Sequence, residues 1–431
     1  MQKLLKPRGT QDILPQDQKY RDFIWKIFEK KMVLQGFEKI ETPIFERAEV
    51  FARPIGENSD IVQKQMFEVS RLGSSKNDNE EKLVLRPDYT AGIIRSYLET
   101  GFSGAPQPFK LYYAGPLFRY ERPQKGRQRQ FTQFGFEVIG DSASATDALT
   151  IYTVWDILKS LKILKLCSIE INTVGCELCK PDISEKLQNF FNSFKKMLCG
   201  DCKKRINNNN PLRILDCKEK TCQKIASSSP DIIDMVCENC KTHFSETLEF
   251  LDELNVSYDL NPKLVRGLDY YTRTTFEVVI KNVKERQSSL AGGGRYDRLA
   301  KTLGGKKTSA IGMSFGVERI IEFLKENNID APETSKPQVM LIQLGPKARK
   351  KTLKLMTELI KKGIKSFIAP GKESLKSQLH LADKKKIRFV LIVGEREVFD
   401  KSVIVKDMER NSQESINDGR LINKLKSKIK N

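Results

Sequence analysis

The chain has 431 residues and a formal net charge of +20, with 39% hydrophobic and 30% charged residues. This length exceeds one ordinary hydrophobic core and predicts two or three domains, and the charge favours a polyanionic partner such as nucleic acid over a basic one. The N-terminal MQKLLKPRGTQDILPQD lacks the apolar core of a signal peptide, and no run approaches about eighteen apolar residues, so we expect a cytosolic protein without membrane spans.

The first third of the sequence predicts a helix followed by an antiparallel sheet. Apolar residues recur at three- and four-residue spacing from Asp17 to Leu34, which is typical of an amphipathic helix, and Gly36 follows as a stop. GFEKIETPIFE then alternates like a strand as far as Pro43. Polar, hairpin-like loops such as LGSSKNDNEE favour an antiparallel sheet over a doubly wound parallel one. Further strand-like runs cover residues 83–86, 109–114, 131–139, 275–281 and 309–315.

LRPDYTAG, which begins at Leu85, places a carboxylate and a hydroxyl two residues apart. In an extended chain Asp88 and Thr90 point the same way and offer both groups to an ammonium ion. Asp and Thr also commonly begin helices, so a helix cap is the alternative.

FRYERPQKGRQRQFTQFGFE, residues 118–137, combines basic residues with a strand that has two unlike faces. One face is apolar and predicts core packing, since it carries Thr132, Phe134, Phe136 and Val138. The other face carries Gln133 and Glu137, with Gly135 between them leaving room for a ligand to approach the backbone. A carboxylate among aromatics needs a cationic or hydrogen-bonding partner. Arg119 and the loop RPQKGRQR are then expected to face a phosphate, and a surface hairpin with incidental charge is the alternative.

An inserted subdomain, about residues 172–258, is indicated by cysteine pairs and by the NNNNP and SSSP tracts. Three of the pairs are C-x-x-C motifs and the fourth is more loosely spaced, which suits tetrahedral zinc. Reduced thiols packed in the subdomain and redox pairing are the alternatives. The pairs are Cys176 with Cys179, Cys199 with Cys202, Cys217 with Cys222, and Cys237 with Cys240, and His243 follows closely.

Three stretches after the inserted subdomain also bear chemistry. LVRGLDYYTRTTFE places Arg266 ahead of Tyr270 and Tyr271, which suggests an anion clamp beside an aromatic cavity. AGGGRYDRLAKTLGG contains glycines that allow tight turns, but a glycine triplet is a weak signal of function and a plain turn explains it equally well. SAIGMSFGVERI predicts a strand of small residues, with room for a flat ring or a neighbouring backbone, and puts Arg319 in the first turn of the helix that follows; close helix packing is the alternative.

The composition changes near residue 335. APETSK, residues 331–336, reads as a linker after a first domain of residues 1–330. Residues 337–431 alternate short apolar strands with helices and predict a separate α/β domain. Their 23 Lys and Arg against 10 Asp and Glu account for +13 of the net charge, so this domain is the first candidate for nucleic-acid contact, a solvated lysine-rich surface being the alternative.

Taken together, these stretches resemble the histidyl-tRNA synthetases, which are class II aminoacyl-tRNA synthetases, over essentially the whole chain. PRGTQD, GFEKIETPIFE as motif 1, the 118–137 stretch as motif 2 and IGMSFGVERI as motif 3 carry the class resemblance. The stretches LVRGLDYYTRTTFE and AGGGRYDRL resemble two signatures private to the histidyl enzymes. The resemblance implies an α+β fold: an antiparallel catalytic sheet flanked by helices, an inserted small subdomain, and a C-terminal α/β anticodon-binding domain.

The resemblance also implies the reaction and its partners. Histidine would be activated with ATP and Mg²⁺, pyrophosphate would leave, and the histidyl group would pass to tRNA(His) in a cytoplasmic homodimer that includes motif 1 in its interface. Position by position, the histidine site would comprise Asp88, Thr90, Gln133, Glu137, Tyr270 and Tyr271, and the ATP site Arg119, Glu121, Arg266 and Arg319. Arg119 and Arg266 would act on the reacting phosphate, while zinc at the eight paired cysteines is not called for by the family.

The sequence departs from the commonest bacterial pattern at three positions. Asp88 stands where many members have Glu, and it is shorter by one methylene, so its ammonium contact would go through a shifted backbone or a water. Tyr120 and Thr132 replace frequent histidines, and Thr132 is on the predicted core side. A synthetase-like regulatory paralogue, which binds histidine or tRNA without charging it, is the alternative function. A threonyl or prolyl enzyme is disfavoured by RGLDYY.

Overall fold

A computed structural model describes residues 3–56, 61–70, 81–124, 126–282, 289–333, 337–369 and 374–430. The chain forms two compact units, Met1–Pro332 and Glu333–Asn431. Among the described helices, none has the length and apolar character needed to cross a membrane.

The first unit begins with a long helix and continues with strands that alternate with helices. Its elements as far as the inserted subdomain are α1 (Pro15–Leu34), β1 (Glu38–Lys39), β2 (Phe45–Arg47), α2 (Ala48–Ile55), β3 (Phe67–Val69), β4 (Leu83–Leu85), α3 (Thr90–Glu99), β5 (Phe109–Phe118), β6 (Gln130–Ile139), α4 (Ser144–Ser160) and β7 (Cys167–Thr173). The inserted subdomain and the rest of the unit contain α5 (Lys180–Ser193), α6 (Gly200–Asn207), α7 (Lys220–Ser227), α8 (Glu238–Glu253), β8 (Asp259–Leu260), β9 (Thr272–Ile280), β10 (Ser289–Arg295), α9 (Leu299–Thr302), β11 (Ala310–Gly316) and α10 (Val317–Glu326).

An eight-stranded sheet organises this unit, in the order β1-β5-β6-β11-β10-β9-β7-β8. The neighbours from β5 to β7 pair antiparallel, and only the short edge strands β1 and β8 pair parallel. A smaller antiparallel sheet has the order β2-β4-β3. The predicted antiparallel sheet flanked by helices is therefore confirmed.

The two faces of the large sheet bury two separate cores. On one face α1, α4 and α10 cover the apolar side of β6, where Phe134, Phe136 and Val138 are buried as the strand alternation predicts. On the other face α2, α3 and α9 enclose Tyr113, Tyr270 and other aromatics. The second face is the one that carries polar and charged groups, so it holds the candidate site.

Two sequence predictions were wrong, a long strand at GFEKIET and a turn at AGGG. GFEKIET forms only the two-residue β1, because the chain leaves the sheet edge after pairing with Leu111 and Tyr112 of β5. The glycine run AGGG is not a turn but the middle of β10, a central strand between β9 and β11. Glycine is used there because neighbouring groups approach its backbone closely. The predicted loop LGSSKNDNEE lies mostly outside the described residues.

A buried polar network joins α4, α8 and β10 behind the site. The Asp147 carboxylate lies 2.7 Å from Arg295 Nε, and both side chains are fully buried. His243 Nε2 lies 2.8 Å from the other oxygen of Asp147, and its Nδ1 lies 3.1 Å from Arg273 Nη1. Charges buried this deeply persist only when paired, so the network ties the inserted subdomain's last helix to the catalytic sheet.

The second unit is a five-stranded sheet with helices. It contains β12 (Val339–Gln343), α11 (Pro346–Lys361), β13 (Ser366–Ile368), α12 (Leu375–Lys384), β14 (Phe389–Val393), α13 (Glu395–Phe399), β15 (Ser402–Asp407), β16 (Ser412–Asn417) and α14 (Asp418–Lys430). The strand order is β13-β12-β14-β15-β16, parallel as far as β14 and antiparallel beyond it. The predicted α/β fold of this segment is confirmed, although α13 and β16 were not foreseen.

Candidate active site

A cavity of about 620 Å³ lies on the second face of the large sheet. Its walls come from the ends of β6, β9, β10 and β11, from the start of α3 and from the segment 264–271. Of the ten predicted histidine and ATP residues, nine line this cavity, namely Asp88, Thr90, Arg119, Glu121, Gln133, Arg266, Tyr270, Tyr271 and Arg319. Glu137 is the exception and lies directly beneath the wall. Residues distant in the sequence are thus brought into one volume.

Glu137 is a carboxyl group almost completely buried, with 1% of its surface exposed. Thr90 Oγ1 donates to its Oε1 at 2.8 Å, and the Tyr296 hydroxyl donates to its Oε2 at 2.5 Å. Burial raises the pKa of Glu137 to about 8, although the Tyr296 and Thr90 hydrogen bonds work against that rise. A side chain on Gly312 of the adjacent strand would overlap the carboxylate, which explains glycine at that position.

Asp88 lies two residues before α3 and lines the cavity. Its Oδ2 accepts from the backbone N–H of Ala91 at 3.2 Å, in the first turn of α3. Burial raises the pKa of the Asp88 carboxyl, and the nearby Arg119 guanidinium opposes that shift. The helix-start alternative is therefore confirmed, because Thr90 begins α3 and Asp88 accepts a hydrogen bond from its first turn, while the Asp88 side chain also lines the cavity.

Tyr296 is a functional candidate that sequence reasoning missed. It follows the AGGGR run, is 1% exposed, and packs edge-on against Tyr270 with ring centroids 5.9 Å apart. Burial, reinforced by Glu137, raises the pKa of its hydroxyl well above the ordinary value, so it remains a proton donor to Glu137. Its place within a signature stretch was the only signal that could have found it.

Tyr113 corrects the sequence interpretation of Gly135. The prediction was that the glycine lets a ligand approach the backbone. Instead, the Tyr113 hydroxyl fills the space where a side chain at Gly135 would lie. Tyr113 is also a third hydrogen-bonding partner of Glu137. The glycine therefore makes room for an internal donor.

Arg266 crosses the cavity floor above β10. Its Nη1 lies 2.8 Å from Glu277 Oε1, and its guanidinium is 6.0 Å from the Tyr271 ring centroid. A Cβ on Gly292 would overlap this guanidinium, so the glycine-rich strand provides its seat. Glu277 occupies one edge of the Arg266 guanidinium and leaves its other N–H groups for an anionic ligand.

Two further arginines, Arg119 and Arg319, line the other end of the cavity. Arg119 donates from Nε to the Pro87 carbonyl at 2.9 Å and lies over the Phe131 ring. Arg319, in the first turn of α10, donates to the carbonyl of Gly126 at 3.0 Å and to that of Ser289 at 2.6 Å. These backbone contacts fix the direction of each guanidinium, and with Arg266 they place three arginines around one cavity, an arrangement that suits a polyphosphate.

Glu121 pairs with Arg127 across the motif 2 hairpin, with Arg127 Nη1 3.1 Å from its Oε2. It therefore lines the cavity as half of an ion pair. Gln133 lies opposite Gly316 of β11 in the sheet register and also reaches the cavity.

The eight paired cysteines lie outside the cavity and form two groups. Within each group all four sulfur atoms lie within 4.8 Å of one another. The groups are Cys176, Cys179, Cys237 and Cys240, and Cys199, Cys202, Cys217 and Cys222. The sequence did not reveal which pairs combine. The ninth cysteine, Cys167, is buried in β7, and burial raises the pKa of its thiol to about 12.

Comparison with known proteins gives consistent matches over both units. A family model described as Histidyl-tRNA synthetase matches residues 9–190 and 219–320, and one described as Anticodon binding domain matches residues 338–428. A histidine–tRNA ligase of Desulfitobacterium hafniense is 41% identical over 412 residues, covering 95% of this chain and 94% of the relative.

Further relatives extend the match. A histidine–tRNA ligase of Desulforamulus reducens is 40% identical over 98% of this chain and 99% of the relative. The crystal structure of apo histidyl-tRNA synthetase from S. aureus superimposes with a TM-score of 0.80 at 32% identity, covering 98% of this chain and 99% of that one.

Proposed function

We propose how this chain, which belongs to the histidyl-tRNA synthetase family and is a histidine–tRNA ligase, divides that reaction among the residues of its cavity. The enzyme activates L-histidine with ATP, releasing pyrophosphate, and then transfers histidine to the 3′ end of tRNA(His). The family resemblance and the full-length match to histidine–tRNA ligases favour this function over a regulatory paralogue.

Histidine binds, in this proposal, at the Glu137 end of the cavity. The buried carboxylate accepts a hydrogen bond from the imidazole ring, and Tyr271 meets the other side of the ring. Asp88, Thr90 and Gln133 hold the ammonium group. An amino acid without ring nitrogens would leave a buried carboxylate without its ligand partner, which is a larger penalty than a misfit of shape.

ATP enters as its magnesium complex, and its phosphates bind to the arginines. Arg119 and Arg266 contact the α-phosphate, Arg319 the γ-phosphate, and Glu121 the adenine. The histidine carboxylate oxygen attacks the α-phosphorus in line as the bond to pyrophosphate breaks. Side chains form no bond to substrate in this step, so the rate depends on positioning and on stabilising charge that spreads over phosphate oxygens.

One observation carries the assignment of the reacting centre. Arg266 is seated on Gly292, held at one edge by Glu277, and enters the same cavity as the histidine residues. A guanidinium held before substrate arrives costs little reorganisation during the reaction.

Replacing Arg266 tests this role directly. We expect Arg266→Ala to slow histidine-dependent pyrophosphate exchange by about 10²–10³-fold, the usual cost of removing one preorganised donor. Arg298→Ala, which removes a surface ion pair with Glu177, is the matched control. An unchanged rate in Arg266→Ala at saturating histidine would contradict the role.

The same assay, repeated with each amino acid, separates the alternatives. Exchange with histidine followed by charging of tRNA(His) supports the ligase. Histidine binding without exchange would indicate the regulatory paralogue. Exchange with threonine or proline would indicate another class II enzyme.

Partner contacts beyond the cavity follow from charge and exposure. Residues 337–431 of the second unit carry +13 and are proposed to bind the anticodon region of the tRNA. Motif 1 exposes Ile44 and Phe45, at 43% and 56%, and supports a homodimer interface there. Because its tRNA substrate is used in protein synthesis, we place the enzyme in the cytoplasm.

The grouped cysteines support a structural zinc assignment for the inserted subdomain. Tetrahedral thiolate sites are typical of zinc, and each group gathers four thiols. This zinc takes no part in the chemistry of the cavity.

A further inference from the structure

We propose that the inserted subdomain binds two zinc ions in separate four-thiolate sites, and that one of these sites positions a wall of the active-site cavity. The proposal rests on the structural zinc assignment above and not on the ligase reaction. We name the sites by what they join. The base site is Cys176, Cys179, Cys237 and Cys240, and the wall site is Cys199, Cys202, Cys217 and Cys222.

The distances between sulfur atoms match a tetrahedral zinc site. A Zn–S bond of about 2.3 Å places neighbouring sulfurs about 3.8 Å apart in a tetrahedron. In the base site Cys176 Sγ lies 3.6 Å from Cys179 Sγ and 3.9 Å from Cys237 Sγ, and Cys179 Sγ lies 3.8 Å from Cys240 Sγ. These distances are far longer than a disulfide bond of about 2.05 Å.

The wall site has the same geometry. Cys199 Sγ lies 3.8 Å from Cys217 Sγ, and the four sulfurs again lie within 4.8 Å of one another. A cluster of several iron atoms would hold its ligand sulfurs farther apart, so a single ion fits better. Four thiolates in a tetrahedral arrangement are typical of structural zinc sites.

Local backbone geometry supports thiolate ligands at both sites. Cys199 and Cys237 are the N-cap residues of α6 and α8, so each C-x-x-C motif places its second cysteine in a first helical turn. Backbone N–H groups point at the sulfurs: that of Cys237 lies 3.1 Å from Cys179 Sγ, and that of Cys199 lies 3.3 Å from Cys222 Sγ. Such donors orient and stabilise metal-bound thiolates.

His243 and Cys167 are excluded as ligands by their surroundings. His243 follows Cys240, but both of its ring nitrogens are engaged, by Asp147 and Arg273. Cys167 is buried in the core of the large sheet, away from both groups. Each site therefore has a complete set of four thiols without them.

The subdomain also needs cross-links to fold. Two of its helices, α6 and α7, have eight residues each, and isolated helices of this length are unstable in water. Its core is small and includes the cysteines themselves. A core of this size is usually supplemented by disulfides or metal, and zinc binding supplies folding free energy directly.

The wall site is connected to the active-site cavity through Cys217. Leu215, Asp216 and Lys218, which flank Cys217, line the cavity. Arg213, just upstream, donates from Nε to Asp269 Oδ1 at 2.9 Å, within the segment 264–271. The wall site therefore fixes residues 213–218, and these residues contact the segment 264–271 that carries Arg266. The base site joins the segment that follows β7, through Cys176 and Cys179, to the start of α8, through Cys237 and Cys240.

Metal analysis of the full-length protein, expressed with added zinc, tests the proposal. We expect two zinc ions per chain, and zinc X-ray absorption with four sulfur neighbours at about 2.3 Å. Cys237→Ser/Cys240→Ser and Cys199→Ser/Cys202→Ser should each lose one ion, while Cys167→Ser, the matched control, should keep both. A ratio below two in the wild type, iron in place of zinc, or disulfides in the denatured protein would overturn the proposal.

The positioning role is tested by comparing the wall-site double variant with the wild type. Loss of the wall site should slow histidine-dependent pyrophosphate exchange by about 10²-fold, the cost of misplacing a reacting group by about 1 Å. It should also expose residues 199–222 to limited proteolysis. An exchange rate equal to that of the wild type would overturn the positioning role.

Pyrophosphate exchange and the zinc ratio of the wild type separate failure of the proposed cavity roles from failure of the zinc proposal. Should the wild type show no histidine-dependent exchange, the proposed roles in the cavity fail while the zinc ratio still decides the metal sites. Should a double variant fail to fold, the wild-type ratio and absorption spectrum decide the zinc proposal, and single Cys222→Ser and Cys240→Ser variants test the positioning role.

Discussion

Removing the Tyr296 hydroxyl isolates the part that Glu137 plays in histidine binding. Tyr296→Phe keeps the ring that packs against Tyr270 and deletes only the donor that lies 2.5 Å from Glu137 Oε2. Thr90 still donates to the other oxygen. The substitution thus removes one hydrogen bond from the buried Glu137 carboxylate and changes its ionisation, while the cavity keeps its shape.

The size of the expected effect follows from the hydrogen bond between Tyr296 and Glu137, both of which are buried. Hydrogen bonds to charged groups contribute about 1.5–3 kcal/mol, and each 1.4 kcal/mol is about tenfold in affinity. This hydrogen bond favours the charged form of Glu137, so its loss raises the pKa of that carboxyl, and below the pKa we expect the KM for histidine to rise by the same factor, about 10- to 100-fold. The kcat at saturating histidine should change little, because Glu137 is not assigned to the reacting phosphate.

The pH dependence of KM gives a second readout. Imidazole donates to the ionised carboxylate, so KM for histidine should fall as pH rises through the Glu137 pKa of about 8. The Tyr296 hydrogen bond favours the charged form, so its loss raises the pKa of Glu137 further. In Tyr296→Phe the fall in KM should accordingly move to higher pH.

Pyrophosphate exchange at varied histidine and pH measures both quantities. Tyr258→Phe is the matched control, since the Tyr258 hydroxyl also donates to a carboxylate, Asp252, at 3.1 Å but on the surface. It should leave KM unchanged. A Tyr296→Phe enzyme with wild-type KM and an unshifted pH profile would refute the assignment of Glu137 to imidazole recognition.

Two further substitutions test the packing behind the site. Gly292→Ala should displace the Arg266 guanidinium and slow pyrophosphate exchange by about 10²-fold without unfolding the enzyme. Gly104→Ala is the control and should have no effect, because a Cβ at Gly104 would meet open space. Equal exchange rates in the two variants would contradict the position described for Arg266. Asp147→Ala breaks a fully buried ion pair and should lower the free energy of unfolding by about 3–5 kcal/mol in a denaturant titration. Asp156→Ala breaks a partly exposed pair with a lysine and should cost about 1 kcal/mol or less, so comparable losses would argue against burial as the cause.

Strand periodicity determined much of this protein from sequence alone. The two faces of β6 could be assigned because side chains alternate along a strand, and Phe134 and Phe136 are indeed in the core. The change of pattern near residue 335 likewise separated the α/β unit. These features are local, since they depend on the spacing of residues within one element.

Only the tertiary structure decided which distant residues meet. The AGGG run became a central strand in which Gly292 leaves room for Arg266, and no local signal distinguishes that use of glycine from a turn. Tyr113 of β5 and Tyr296, which directly follows β10, both reach Glu137 of β6, so their hydrogen bonds depend on sheet order. The partition of eight cysteines into two groups has the same origin, since spacing sets each pair whereas helix packing sets which pairs combine.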